Sequence, residues 1–206
     1  SSSGFVKFPP KEMIRNIVDI VRQNGGKIIA NEVTTGIGRT GKWFGYQHYD
    51  ITPDFVAAGK GIGNGYPVSV ALIHPDNLQN ESIQSFRYAQ SHQNDPLGAA
   101  VAKEVIQVIQ EQDLISNAET IGKYLYEQLQ ALVDDKIVME VRGRGLMLAM
   151  ELKDEKIAKD FHQQLFDKGF LVVNRGTFLR IDPPLIISKA EVDEFVDACA
   201  VIVGRA

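Results

Sequence analysis

The sequence predicts an α/β domain followed by a smaller α+β domain, on three observations. A helical stripe runs into a Gly-Gly stop and then an apolar strand; two glycine-rich stretches, 36–41 and 59–65, fall among the next strands; and residues 116–206 alternate helices with short strands.

The first helix starts after Pro9-Pro10, where proline is tolerated because first-turn N–H groups have no helical partner. Met13, Ile14, Ile17, Val18 and Val21 mark its apolar face, and Gly25-Gly26 stops it. Residues 27–33 form a short apolar run bounded by glycines, so helix, glycines and strand read as the αβ half of a parallel-sheet unit. Residues 54–58 and 67–73 are the next strands. A helix follows over 96–109, with Leu97, Ala100, Val101, Val105 and Val108 on one face, and a second amphipathic helix over 116–133. Beyond it the pattern predicts a strand pair at 137–141 and 146–152, a helix over 155–168 ended by Gly169, strands at 170–173 and 178–181, and a closing helix over 188–203. Ser188 and Glu191 form a capping box at the start of that last helix. The domain boundary is expected near residue 115.

The chain has 206 residues, 22 Lys and Arg against 26 Asp and Glu, a net charge of −4, and 44% hydrophobic residues. That is enough apolar material for one large core or two small ones, and it excludes a disordered chain. The single cysteine excludes an internal disulfide framework and fits a reducing, cytoplasmic setting. Lys and Arg are scattered, so no basic footprint marks a nucleic-acid or anionic-membrane partner, and no apolar run reaches the roughly 18 residues of a membrane span. The opening Ser1-Ser2-Ser3-Gly4-Phe5 enters a helical pattern almost at once, which fits either a piece of a longer polypeptide or a processed or cloned start.

Gly36-Ile-Gly-Arg-Thr-Gly41-Lys42 fits a phosphate-binding GxxxxGK, but Trp43 stands where a Ser or Thr hydroxyl would hold magnesium. The glycines of 59–65 miss the GxGxxG spacing of a dinucleotide site. The histidines (His48, His74, His92, His162) and Cys199 have no metal-ligand spacing, so no metal is expected. Cys199 sits on an apolar helix face with Val196, Ala200 and Val203, a packing position and not that of a nucleophile. Lys60 is different. It lies between two glycines just after an apolar strand, and α/β sheets bind ligands at the carboxyl ends of their strands. A lysine there is open to desolvation, loses its proton more readily and can attack a carbonyl to form a Schiff base; the bland alternative is an exposed turn lysine.

Residues 28–41, IIANEVTTGIGRTG, and 52–67, TPDFVAAGKGIGNGYP, resemble the signature of class III pyridoxal-phosphate aminotransferases. Asp95-Pro-Leu97, Val141-Arg-Gly-Arg-Gly-Leu-Met147 and Leu179-Arg-Ile-Asp-Pro-Pro-Leu185 continue the likeness almost to the end of the chain. The resemblance implies a fold-type-I architecture, with 1–115 the C-terminal part of the cofactor-binding large domain and 116–206 the small domain.

It further implies that Lys60 holds pyridoxal 5'-phosphate covalently and shuttles the substrate proton. Val33 is placed like the residue that packs on the pyridine ring, Ser91 like a hydroxyl lent to the phosphate across a homodimer interface, and Arg180 like the arginine that grips a substrate carboxylate. The implied reaction moves an amino group from an ω-amine or amino acid, of the acetylornithine, ornithine or 4-aminobutyrate type, to a 2-oxo acid such as 2-oxoglutarate. Trp43, Phe44 and Tyr46 read either as an apolar partner face or as buried core.

Two departures stand out. Asn31 replaces the Asp that keeps the ring nitrogen protonated, and Thr34 replaces the Gln that often contacts the phenolic oxygen. Asn31 offers a hydrogen bond without negative charge, which predicts slower transamination or other chemistry: aminomutase, racemase or decarboxylase. The likeness corresponds to the C-terminal half of the family only, so a fragment inactive alone is expected, and a non-catalytic dimerising module is the rival from another class.

Overall fold

The computed structural model describes residues 6–91 and 93–204. The expectations that fell on Ser1–Phe5 and His92 lie outside the described residues. The described residues form two compact units: one of residues 9–37, 42–91 and 93–112, the other of 6–8, 38–41 and 113–204.

In the first unit, α1 (Lys11–Gln23) follows Pro10 and ends in Asn24. Gly25 is left-handed (φ 74°); its N–H bonds Arg22 O and that of Gly26 bonds Val21 O, a Schellman stop that uses both glycines. Strand β1 (Ile29–Asn31) pairs parallel with β2 (Phe55–Ala58), Asn31 opposite Ala57. The Asp54 carboxylate accepts the Ile28 N–H at 2.9 Å and pairs with Lys27, which fixes where the two strands begin. Strand β3 (Val70–Ile73) runs antiparallel to β2. Residues 59–69 hold only a 3-10 turn and a tight return, whereas a parallel partner needs a crossover of a dozen or more residues. A short helix, α2 (Glu81–Ser85), absent from the sequence-based expectation, is capped by Asn80. Helix α3 (Pro96–Glu111) is capped by Asp95, whose carboxylate accepts the Leu97 and Gly98 N–H groups and the Tyr66 hydroxyl. Trp43, Phe44 and Tyr46 are half-buried, between the two sequence alternatives. Phe44 stacks on Tyr46, and Trp43 and Phe44 line an apolar groove of about 580 Å³ with Ile62, Leu72, Ala102 and Ile106.

The second unit is built on an antiparallel sheet of β4 (Val138–Arg144), β5 (Met147–Leu152), β6 (Val173–Arg175) and β7 (Phe178–Ile181), in the order β4-β5-β7-β6. Central β5 is the most apolar strand and is buried almost throughout. One face packs on α4 (Leu114–Gln130), α5 (Glu155–Asp167) and α6 (Lys189–Ile202) through Leu125, Leu129, Phe161, Leu165 and Val192. The other face, through Met147, Ala149 and Phe178, covers Val6. The strand expected at 170–173 begins only at Val173. Residues 169–170 are used to stop α5: the N–H groups of Gly169 and Phe170 bond Phe166 O and Leu165 O, and Phe170 packs edge-on against Phe195. The capping box at Ser188 and Glu191 forms as its sequence predicts, worth about 1 kcal/mol.

Cys199 is fully buried in this core, and burial pushes its thiol up to about 12. A thiol reagent at pH 8 should leave native protein unlabelled and modify it once denatured; rapid native labelling would contradict the packing role. Among the described residues, no helix is long and apolar enough to cross a membrane.

Candidate functional site

Because β1 and β2 are parallel neighbours, their carboxyl ends leave the sheet on the same edge, and the segments that extend from the two strands meet there. Gly59 is extended (φ −170°), and Lys60 turns into the left-handed region at φ 46° to open a 3-10 turn over Lys60–Gly63. A non-glycine residue there costs about 1 kcal/mol or more, which sharpens the turn that carries the amine. The Lys60 Nζ donates to Thr34 Oγ1 at 3.2 Å. The Val33 side chain flanks Gly59, 3.6 Å from where a Cβ would project, and Asn31 Oδ1 accepts the Val33 N–H at 3.3 Å. Asn31, Val33, Thr34 and Lys60 therefore form one cluster. Ser91 is exposed in the stretch before α3, and among the described residues no hydrogen bond joins it to the other four.

Glu32 supports this cluster, and its sequence context did not single it out. Its buried carboxylate accepts the N–H groups of Gly45 at 2.8 Å and Tyr46 at 2.7 Å and the Thr35 hydroxyl at 2.5 Å. It ties the segment after β1 to the 3-10 turn Gly45–Tyr49 and so fixes the backbone that presents Val33 and Thr34. A lone acidic residue inside an apolar run was the available signal, since a buried carboxylate demands several donors.

Arg180 lies in the other unit. On β7, opposite Ala149 of β5, it forms an ion pair through Nε with Asp182. Arg39 joins this group: it donates from Nη1 to Leu146 O at 3.1 Å and to Pro183 O, while its own carbonyl accepts the Leu146 N–H. Burial pulls the Arg39 guanidinium below its ordinary value; Asp182 opposes that pull and Arg180 adds to it.

The cluster at Lys60 fits a carbonyl-bearing aromatic cofactor. It supplies a primary amine with a hydroxyl partner, a branched apolar side chain packed beside Gly59, and an amide that can hydrogen-bond a ring nitrogen.

The model of the class III aminotransferases (Aminotransferase class-III) matches residues 1–203, and the chain belongs to that family. Its members depend on pyridoxal phosphate and share the fold-type-I architecture. The chain is 34% identical over 210 residues to the mitochondrial alanine–glyoxylate aminotransferase 2 of Pongo abelii, covering 95% of this chain and 40% of that protein. To ornithine aminotransferase 1 of Staphylococcus saprophyticus it is 33% identical over 195 residues, covering 94% and 48%. To a leucine/methionine racemase of Thermococcus litoralis it is 31% identical over 199 residues, covering 92% and 44%. Among solved structures, a transaminase with L-alanine superposes with a TM-score of 0.87 at 31% identity, over 95% of this chain and 50% of that one. The chain thus spans about half the length, or less, of the relatives it matches.

Proposed function

We propose that this chain carries the covalent cofactor site of a pyridoxal-phosphate-dependent aminotransferase that moves an amino group from an ω-amine or amino acid to a 2-oxo acid. The observation that carries this reading is the Lys60 amine held on Thr34 at the carboxyl ends of β1 and β2, beside Val33 and Asn31. When bound, pyridoxal 5'-phosphate supplies an aldehyde that condenses with amines and a ring that takes up negative charge from the substrate carbon. Lys60 provides the amine that anchors it and, once released, the base that moves the substrate proton. Thr34 is the hydroxyl partner that keeps the amine oriented, and Val33 gives an apolar wall. Asn31 offers its amide to the ring nitrogen without a compensating charge. Ser91, exposed and unattached to this cluster, is assigned to the phosphate of a second subunit in a homodimer, and Arg180 to the substrate carboxylate.

The protein expressed from its complete native reading frame, incubated with pyridoxal 5'-phosphate and reduced with borohydride, should carry the cofactor's mass on Lys60. A colourless protein with no adduct at Lys60 overturns the reading.

Asn31 and the racemase likeness favour a second reading, in which the same site racemises or rearranges amino acids. Asn31→Asp restores a carboxylate in the same volume and still accepts the Val33 N–H. It should raise transaminase kcat by about tenfold. Labelled amino acids followed by chiral chromatography separate the two readings: loss of the amino nitrogen supports transfer, and inversion without loss supports racemisation.

A further inference from the structure

We infer that Asp182 is a built-in counter-ion of Arg180 that an incoming carboxylate must displace, and that Arg39 positions Asp182 and weakens its hold. This deepens, and rests on, the assignment of Arg180 to a substrate carboxylate. Along β7 and just past its end, side chains alternate: Leu179 and Ile181 are buried in the core, while Arg180 and Asp182 share the opposite side, half-buried. Their side chains are 19% and 23% exposed, shielded enough for charges to matter and open enough for a ligand to reach them. Arg180 engages Asp182 through Nε, and a guanidinium has five N–H donors, so one internal carboxylate does not exhaust it.

Arg39 is anchored independently of both. Its bonds to the Leu146 and Pro183 carbonyls tie its guanidinium next to the backbone that carries Asp182. The cluster therefore holds two positive charges and one negative. Both arginines attract Asp182, and they repel each other. One surplus positive charge remains, which suits a single added carboxylate. Every part of the cluster belongs to one unit, so its geometry does not depend on the other.

The device predicts variants of opposite sign, whereas a carboxylate that merely props Arg180 in place would weaken binding when removed. The protein from its complete native reading frame is titrated calorimetrically with glutarate, a carboxylate with no amine, and KM and kcat are measured in parallel for a carboxylate donor and for a carboxylate-free amine. Asp182→Asn should tighten glutarate and lower the carboxylate KM by about tenfold relative to the KM of the carboxylate-free amine. Arg39→Gln removes one of the two positive charges acting on Asp182 and should weaken glutarate several-fold; Asp182→Asn in that background should restore it. Where Arg39→Gln fails to fold, Asp182→Asn alone decides. Weaker or unchanged glutarate binding in Asp182→Asn, with binding abolished in Arg180→Gln, overturns the counter-ion role and spares Arg180. Unaltered binding in Arg180→Gln overturns both.

Discussion

Replacing Lys60 by glycine is expected to abolish covalent attachment of pyridoxal phosphate and to lower turnover by about 10⁴-fold, while the melting temperature holds or rises. The catalytic loss follows from the two tasks proposed for one amine, since a positioned general base is worth roughly 10² to 10⁴ in rate and the covalent link is lost with it. The stability effect follows from the backbone. Lys60 sits at φ 46° with its side chain exposed, so glycine relieves about 1 kcal/mol of strain and removes only one hydrogen bond, to Thr34. Lys60→Ala keeps the strain and should be as inactive without that gain. Absorbance and turnover read the chemistry, and thermal melts of the same samples read the strain. A Lys60→Gly protein that melts far below the parent would mean that the amine is structural, and one that retains turnover would mean that it is not the base.

Strand and helix order was legible because the stops are local: Pro10, the Gly25-Gly26 pair, Gly169 and the Ser188 capping box each act within one turn of the element they bound. The meeting of Asn31, Val33, Thr34 and Lys60 at the ends of β1 and β2 was legible for a related reason, since adjacent parallel strands deliver the loops at their carboxyl ends to one end of the sheet. The role of residues 36–41 was not. Their glycines imitate a phosphate loop, yet Gly38 lies against Ile115 and Leu185, and Gly41 against Glu119. These partners lie far along the chain, and no spacing rule reaches them. Nor was Arg39 legible as anything but one more scattered cation, because its acceptors, Leu146 O and Pro183 O, lie over a hundred residues away. The share of Asp182 in the proposed cluster was hidden as well: in sequence it is one residue of a family-like strand, and its ion pair with Arg180 comes from the fold.

The same long-range packing sets the largest expected stability loss, at Gly122 in the middle of α4. Helix propensity alone favours alanine there by about 1 kcal/mol. Packing reverses the sign. A Cβ on Gly122 would stand 2.2 Å from both the carbonyl carbon and oxygen of Gly145, and a Cβ on Gly145 would stand 2.4 Å from the Thr40 carbonyl carbon. Three backbone stretches, α4, the turn between β4 and β5, and residues 40–41, thus meet with no side chain between them. No rotamer can absorb the added methyl, because the atoms in its way are main chain, so the turn must move as a unit. Overpacking of side chains costs about 1–3 kcal/mol, and the backbone version belongs at or above the top of that range. Gly122→Ala should therefore destabilise its unit by about 3 kcal/mol and lower its Tm by roughly 12–15 °C. Gly25→Ala is the control. Nothing lies within 4 Å of its Cβ, so only its left-handed φ of 74° is penalised, at about 1 kcal/mol. Equal losses at the two positions would show that conformational strain, and not the meeting of three main chains, governs Gly122. A gain at Gly122 would show that propensity outweighs the contact.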